Sequence, residues 1–237
     1  MPRNIVTIDS VSSETVGLYF DKLPLIPSAR RRSSTYQIPG AGEDLTIYSN
    51  DYDDISMTLT AYILPDTDHQ AVYNWIRTGG KMVLSTQPDV YAIIKNVGVI
   101  APSRVGWAAH KFDIPLTLSP FKYRIENTPD VLTASGSLQT QGNVYSLPVY
   151  HLAGCSGDVE FTVNGVTLTI TDAPSDVYID TVSQTVYTYV DNAKTSIMQT
   201  TAGAFWRMVL VPGTPANYIT WSGTVGSVTI TRNERWV

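Results

Sequence analysis

The segment VEFTVNGVTLTI, Val159 to Ile170, constrains this chain more than any other stretch. Val159, Phe161 and Val163 alternate with polar residues up to Asn164-Gly165, and Val166, Leu168 and Ile170 alternate away from it. Asn-Gly tolerates the positive φ of a type I′ turn, so the two halves fold back as antiparallel strands with their apolar residues on one face. A one-sided hairpin must lay that face on another layer, and a β-sandwich is the expected surrounding.

The same period recurs along the chain. In ISMTLTAYIL, Ile55, Met57, Leu59, Ala61 and Ile63 share one face. In WAAHKFDIPLTL, Ala108, His110, Phe112 and Ile114 do so. IVTID, KMVLS, VYAIIKNVGVI, DVYIDTVSQTVYTYV, FWRMVLV, NYITW and SVTITRNERWV read as further strands. One substantial helix interrupts them, near 67–78. Pro65-Asp66-Thr67 precedes it, Thr67 and Gln70 have capping-box spacing, and Val72, Trp75 and Ile76 make an apolar stripe. Gly79-Gly80 is the expected stop, which allows about 12 residues or roughly 18 Å of helix.

The fold class expected is therefore all-β with one helix. The polar run NTPDVLTASGSLQTQGN marks a composition change. It suggests a first domain over 1–130, a linker over 131–147 and a sandwich over 148–237.

Charge narrows the function classes. Residues 1–130 hold 12 Lys/Arg against 14 Asp/Glu, and the remainder 4 against 7. Neither part has the basic surplus of a nucleic-acid domain. Cys155 is the single cysteine, which removes an intrachain disulfide and any cysteine-based zinc site. MPRNIVTIDS lacks the apolar run of a signal peptide, and no stretch of about 20 apolar residues is present. Synthesis in a reducing cytoplasm is the expectation.

Motif by motif, chemistry is weakly represented. Gly40-Ala41-Gly42 is followed by Glu43-Asp44 rather than by a helix, so it reads as a turn and not a phosphate cradle. Asp51, Asp53 and Asp54 could suggest a calcium loop, but the required glycine position holds Ser56. His69, His110 and His151 lie far apart with no metal-ligand spacing, and Cys155 lacks a base-orienting context. Asp158 and Glu160 alternate with Val159 and Phe161, as exposed charges do. No catalytic, metal or cofactor residue is expected, and the chain reads as a non-enzyme. Trp206 and Trp221, with Trp236, are candidate sugar-stacking residues against a default of core packing.

Several segments, taken in order, resemble the distal tail protein of long, non-contractile-tailed bacteriophages. They are LPLIPSARRRSSTYQIPGAGEDL, AVYNWIRTGGKMVLSTQPDVYAIIKNV, SPFKYR, LPVYHLAGCSGDVEFTVNG, VYIDTVSQTVY and PGTPANYITWSGTVGSVTITRNERWV. The resemblance covers essentially the whole chain. It implies an N-terminal sandwich or barrel-like domain that closes a hexameric ring, and a C-terminal galectin-like sandwich outside it. Implied partners are the tail tube protein, the tail-tip protein and a receptor-binding protein, with DNA passing through a central channel. The implied location is the virion tail tip, after synthesis in the bacterial host. The family's inserted carbohydrate module has no room here, and the Pro-Gly turn departs from the family pattern at Gly40-Ala41-Gly42.

Within such a ring Arg30-Arg31-Arg32 would repeat on one circle and needs anions nearby. Dense arginine contacts would retain DNA that has to slide, so acids are the expected partners. Candidates are Asp51, Asp53 and Asp54, or Glu43 and Asp44, of an adjacent copy, or the tube protein. The alternative reading is a carbohydrate-binding host-adhesion module centred on the second sandwich.

Overall fold

The computed structural model describes residues 4–40, 42–63, 67–105, 109–213 and 216–237. Ala41, Pro65, Asp66, Ala108, Thr214 and Pro215, used in the expectations above, lie outside them. The chain divides into two compact units: Met1–Ile125 with Val237, and Glu126–Trp236.

The first unit holds β1 (Val6–Ile8), β2 (Val11–Ser12), β3 (Leu18–Tyr19), β4 (Arg31–Tyr36), β5 (Leu45–Tyr52) and β6 (Ile55–Ile63). After these come α1 (His69–Trp75), β7 (Lys81–Leu84), β8 (Gln87–Val97), β9 (Ala101–Val105) and β10 (Ala109–Arg124). The main sheet runs β2-β1-β7-β8-β10-β6-β3, with β9 also on β10. β6 and β10 form its spine. Their antiparallel register sets Phe112 opposite Ala61, Ile114 opposite Leu59, Leu116 opposite Met57 and Leu118 opposite Ile55. The two alternating patterns thus coincide on one face, which is the core. SPFKYR does not follow this strand; it belongs to β10, whose register against β8 slips between Leu118 and Lys122. Pro120 falls in that irregularity, where a missing N–H costs no ladder bond.

The helix is shorter than expected and differently capped. Asp68 is the N-cap, and its carboxylate accepts from the Gln70 backbone N–H at 2.9 Å. Thr67 and Gln70 do not form the capping box. The helix ends at Trp75 because Ile76 turns extended and buries its side chain. Gly79-Gly80 serves the sheet instead: Gly79 N–H donates to Ile94 O, and Ile94 N–H donates to Gly80 O. A Cβ on Gly80 would stand 2.8 Å from Ile8 Cγ2, so close backbone approach sets that glycine. Trp75 anchors α1 by donating its indole N–H to Val11 O at 2.9 Å.

The second unit holds β11 (Asp130–Leu132), β12 (Gly136–Leu138), β13 (Val149–Ala153), β14 (Ser156–Val163), β15 (Val166–Ala173) and β16 (Asp176–Asp180). It continues with β17 (Thr185–Val190), β18 (Ala193–Ser196), β19 (Thr201–Gly203), β20 (Asn217–Thr224), β21 (Ser227–Thr231) and β22 (Arg235–Trp236). Sheets β11-β21-β13-β16-β17-β18 and β12-β20-β14-β15-β19 enclose one core, which makes a sandwich. Val163 pairs with Val166 across Asn164 and Gly165, both at positive φ. Tyr150 stacks edge-on against Phe161 in the core, and its buried hydroxyl donates to Met208 O at 3.0 Å.

Two expectations for this unit are corrected. The segment 131–147, read as a linker, is woven into the sandwich. β11 and β12 are sheet strands, and Arg232 bridges Asp130 and Glu234 to clamp β11 on β21. Its Gly/Ser/Thr/Gln composition is that of short outer strands, not of a free tether. FWRMVLV is not a strand either. Phe205–Arg207 is a 3-10 turn that drops Phe205, Met208 and Leu210 into the core, and Leu210 makes a single bridge to Ser146. Asn217, 2 % exposed, holds this segment by accepting from Val211 N–H at 2.7 Å and donating to Val211 O at 3.0 Å.

Candidate assembly surface

Among the described residues β4 and β5 pair only with each other, as a two-stranded ribbon outside both cores. Cross-strand partners share a face, so Tyr36 with Leu45 and Ser34 with Ile47 build one side. Thr35 with Thr46 and Ser33 with Tyr48 build the other, with Thr35 Oγ1 and Thr46 Oγ1 3.4 Å apart. One face is thus apolar and the other rich in hydroxyls. Tyr36, Leu45, Ile47 and Tyr48 are 55, 49, 53 and 60 % exposed. An isolated ribbon is marginal in water, and open strand edges invite pairing. At its base Tyr52 meets Phe121 of β10 edge-on, with ring centroids 5.6 Å apart.

The six residues expected at an inter-subunit contact lie on the ribbon or next to it in the chain. Arg30 immediately precedes β4, Arg31 and Arg32 open it, Asp51 lies in β5, and Asp53-Asp54 link β5 to β6. Several of these charges are already engaged within the chain. Arg31 Nε donates to Ser49 O at 2.7 Å, and its guanidinium lies 5.6 Å from the Tyr48 ring centre. Arg32 Nε donates to Asp53 Oδ1 at 2.8 Å, and that bond, then the charge of Asp53, raises the arginine's pKa. Lys95 Nζ reaches Asp54 Oδ1 at 2.6 Å. Arg30 and Asp51 make no ion pair among the described residues. Glu43 and Asp44 sit in the connecting turn beside Gly42, far along the ribbon from the arginines.

The tryptophans do not share a surface of one kind. Trp221 points to the core side of β20 and packs at the core's margin, whereas Trp206 is 48 % exposed on its 3-10 turn. A more orderly aromatic row, not anticipated, crosses the outer face of the six-stranded sheet. His151 stacks on Tyr178 at 4.2 Å and Tyr178 on Tyr187 at 5.2 Å, with Lys194 Nζ 3.8 Å from the Tyr187 ring centre. These rings use their flat faces on one another and on the ammonium group, so those faces are not open to a sugar ring.

Cys155 is buried, and burial, helped by Asp176, pushes its thiol pKa up to about 11. A thiolate nucleophile is thereby disfavoured. His151 Nε2 lies 2.9 Å from Asp176 Oδ1, and that bond lowers the carboxyl pKa. Asp158 and Glu160 are exposed and tie β14 to its neighbours, accepting from Asp172 N–H of β15 at 3.0 Å and from Ser222 Oγ of β20 at 3.4 Å.

Sequence spacing kept the histidines apart, but the fold joins two of them. His110 Nδ1 and His69 Nε2 are 3.4 Å apart, and the His69 ring also meets Phe112 edge-on. Nothing in the spacing signals this contact, since 41 residues separate the pair.

No protein-family model matches the chain, and no curated protein matches it in sequence. Among solved structures it is similar to the SPP1 Dit protein (gp 19.1), described as a paradigm of the hub adsorption apparatus in Gram-positive-infecting phages. The match covers 100 % of both chains with a TM-score of 0.76 and 12 % sequence identity. The two chains share a fold from end to end.

Proposed function

We propose that this chain is a structural subunit of a non-contractile phage tail tip. Copies close into a hexameric ring through the first unit, join the tail tube to the tip and adhesion proteins, and leave a channel for DNA. The observation that carries this reading is the full-length fold match to a phage hub protein, with neither chain left over. The ribbon supports it independently, because an exposed two-faced strand pair is built for a neighbour.

In this reading the apolar face of Tyr36, Leu45 and Ile47 supplies the interface area, and the charges at the ribbon's base set register. Arg32–Asp53 and Lys95–Asp54 are satisfied within each copy. Arg30 and Asp51 remain for the adjacent copy or the tube protein. The outer sandwich faces adhesion proteins. A carbohydrate-binding role is less well supported, because Trp221 is turned to the core and the stacked aromatic row has its faces occupied.

Light scattering on the purified chain, alone and mixed with tube and tip proteins, tests the reading. A closed oligomer with a central hole in negative-stain images is expected. Persistent monomers under both conditions, with the chain folded, would overturn it.

A further inference from the structure

We propose that His69 and His110 form a two-imidazole chelate for a late first-row divalent cation, with zinc as the reference ion. The proposal does not depend on the assembly role.

Geometry carries it. His110 Nδ1 and His69 Nε2 stand 3.4 Å apart, at the long end of the hydrogen-bond range, so the direct contact between the rings is weak. That spacing suits two ligands of one cation: bonds of about 2.0–2.1 Å at a tetrahedral angle put ligand nitrogens about 3.4 Å apart. The ring centres, roughly 1.1 Å behind each nitrogen, would then stand about 5.2 Å apart. The observed centroid distance is 5.3 Å, with the rings at 88°. The ring separation agrees with the nitrogen separation for such a bridge.

The pair is held ready. His110 sits in β10 between β6 and β9, opposite Ile63 and Arg104, where the ladder fixes its backbone. His69 is the first residue of α1, and its ring packs edge-on against Phe112, with centroids 5.4 Å apart. Phe112 is fully buried, so the wall behind the imidazole is rigid. Both histidines are only half-buried and open to solvent ions. Little ordering is needed on binding.

The donor set decides the cation class. No group of three or more His, Cys, Asp and Glu forms among the described residues, so water completes the coordination and affinity is modest. The facing side chain on β9 is Arg104, a cation, so attraction comes from imidazole lone pairs and not from clustered carboxylates. Such a set favours zinc, copper, nickel and cobalt over calcium and magnesium. Binding takes neutral imidazoles with the lone pair on His69 Nε2 and His110 Nδ1, each ring proton resting on its other nitrogen.

Calorimetric titration of the full chain with ZnCl2 should give one site per chain. A melting rise of about 5–11 °C at 1 mM zinc is expected for a dissociation constant of about 10 μM, with no rise from MgCl2. His69→Gln and His110→Gln should each weaken binding at least tenfold, while His151→Gln leaves it unchanged. CoCl2 provides a readout that needs no variant, because the chain has three histidines. Paramagnetic broadening should strike two of three imidazole signals. Absence of binding at 1 mM, binding by either glutamine variant as tight as that of the unsubstituted chain, or broadening of the His151 signal alone would overturn the assignment.

Discussion

Two strand pairs in this molecule have the same local grammar and opposite fates. In β14–β15, Val159, Phe161, Val163, Leu168 and Ile170 are all fully buried beneath the facing sheet. In β4–β5, Leu45 and Ile47 alternate along one strand with Tyr36 beside them on the other, and all three remain about half exposed. Alternation dictates that one face of a ribbon is apolar; it does not say what covers that face. The first pair stabilises its own unit. The second leaves its apolar area uncovered by the described residues of its own chain.

That contrast can be broken most forcefully at Phe161. Phe161→Ala removes a ring packed edge-on against Tyr150 and leaves a cavity in the sandwich, costing about 3–5 kcal/mol. Urea unfolding followed by near-UV circular dichroism should show the loss in the second unit. Asn217→Ala comes next. It removes a buried amide that serves Val211 N–H and Val211 O, leaving the carbonyl with the Thr140 hydroxyl alone, and about 1–2 kcal/mol is expected in the same measurement. A loss below about 0.5 kcal/mol would mean that water replaces the amide.

A smaller effect should appear in the acid limb of the first unit. Asp9 accepts from the Lys81 backbone N–H and from Arg77, which hold its carboxyl below the usual carboxylate range. Its folded pKa is depressed, so its contribution is complete above the unfolded value near 4 and disappears as pH falls through the lower folded value. Asp9→Asn should flatten stability against pH in that acidic window and nowhere else. An equal loss of slope near neutrality would point to another group.

The smallest effect on folding is expected at the ribbon. Leu45→Ser with Ile47→Ser should change the unfolding free energy of the isolated chain by less than about 0.5 kcal/mol, because neither side chain enters a core. The same double variant should lose the oligomer in light scattering. A large folding loss would show that the ribbon is covered by its own chain, and the comparison with β14–β15 would collapse.

Much of the fold was legible where a local pattern and its packing agree. Ile55 to Ile63 and His110 to Leu118 alternate, and they face one another residue by residue in β6 and β10. Asn164-Gly165 has the turn its φ preferences demand. Reading failed where a residue type serves two ends. Gly79-Gly80 suits a helix stop, but its backbone is bonded to Ile94, so α1 ends earlier. Phe205, Met208 and Leu210 form an apolar run that a strand or a buried 3-10 segment could use equally well. The surface expected from Arg30–Arg32 and Asp51–Asp54 falls together on one ribbon, although Arg32 and Asp53 meet within the same chain.

Sequence alone determined that this is an all-β chain with one helix, because period-2 alternation and Asn-Gly turns act over a few neighbouring residues. Tertiary structure alone decided which alternating faces are covered, which charges are satisfied, and that His69 meets His110. Those outcomes depend on contacts between residues tens of positions apart, for which no local backbone preference exists.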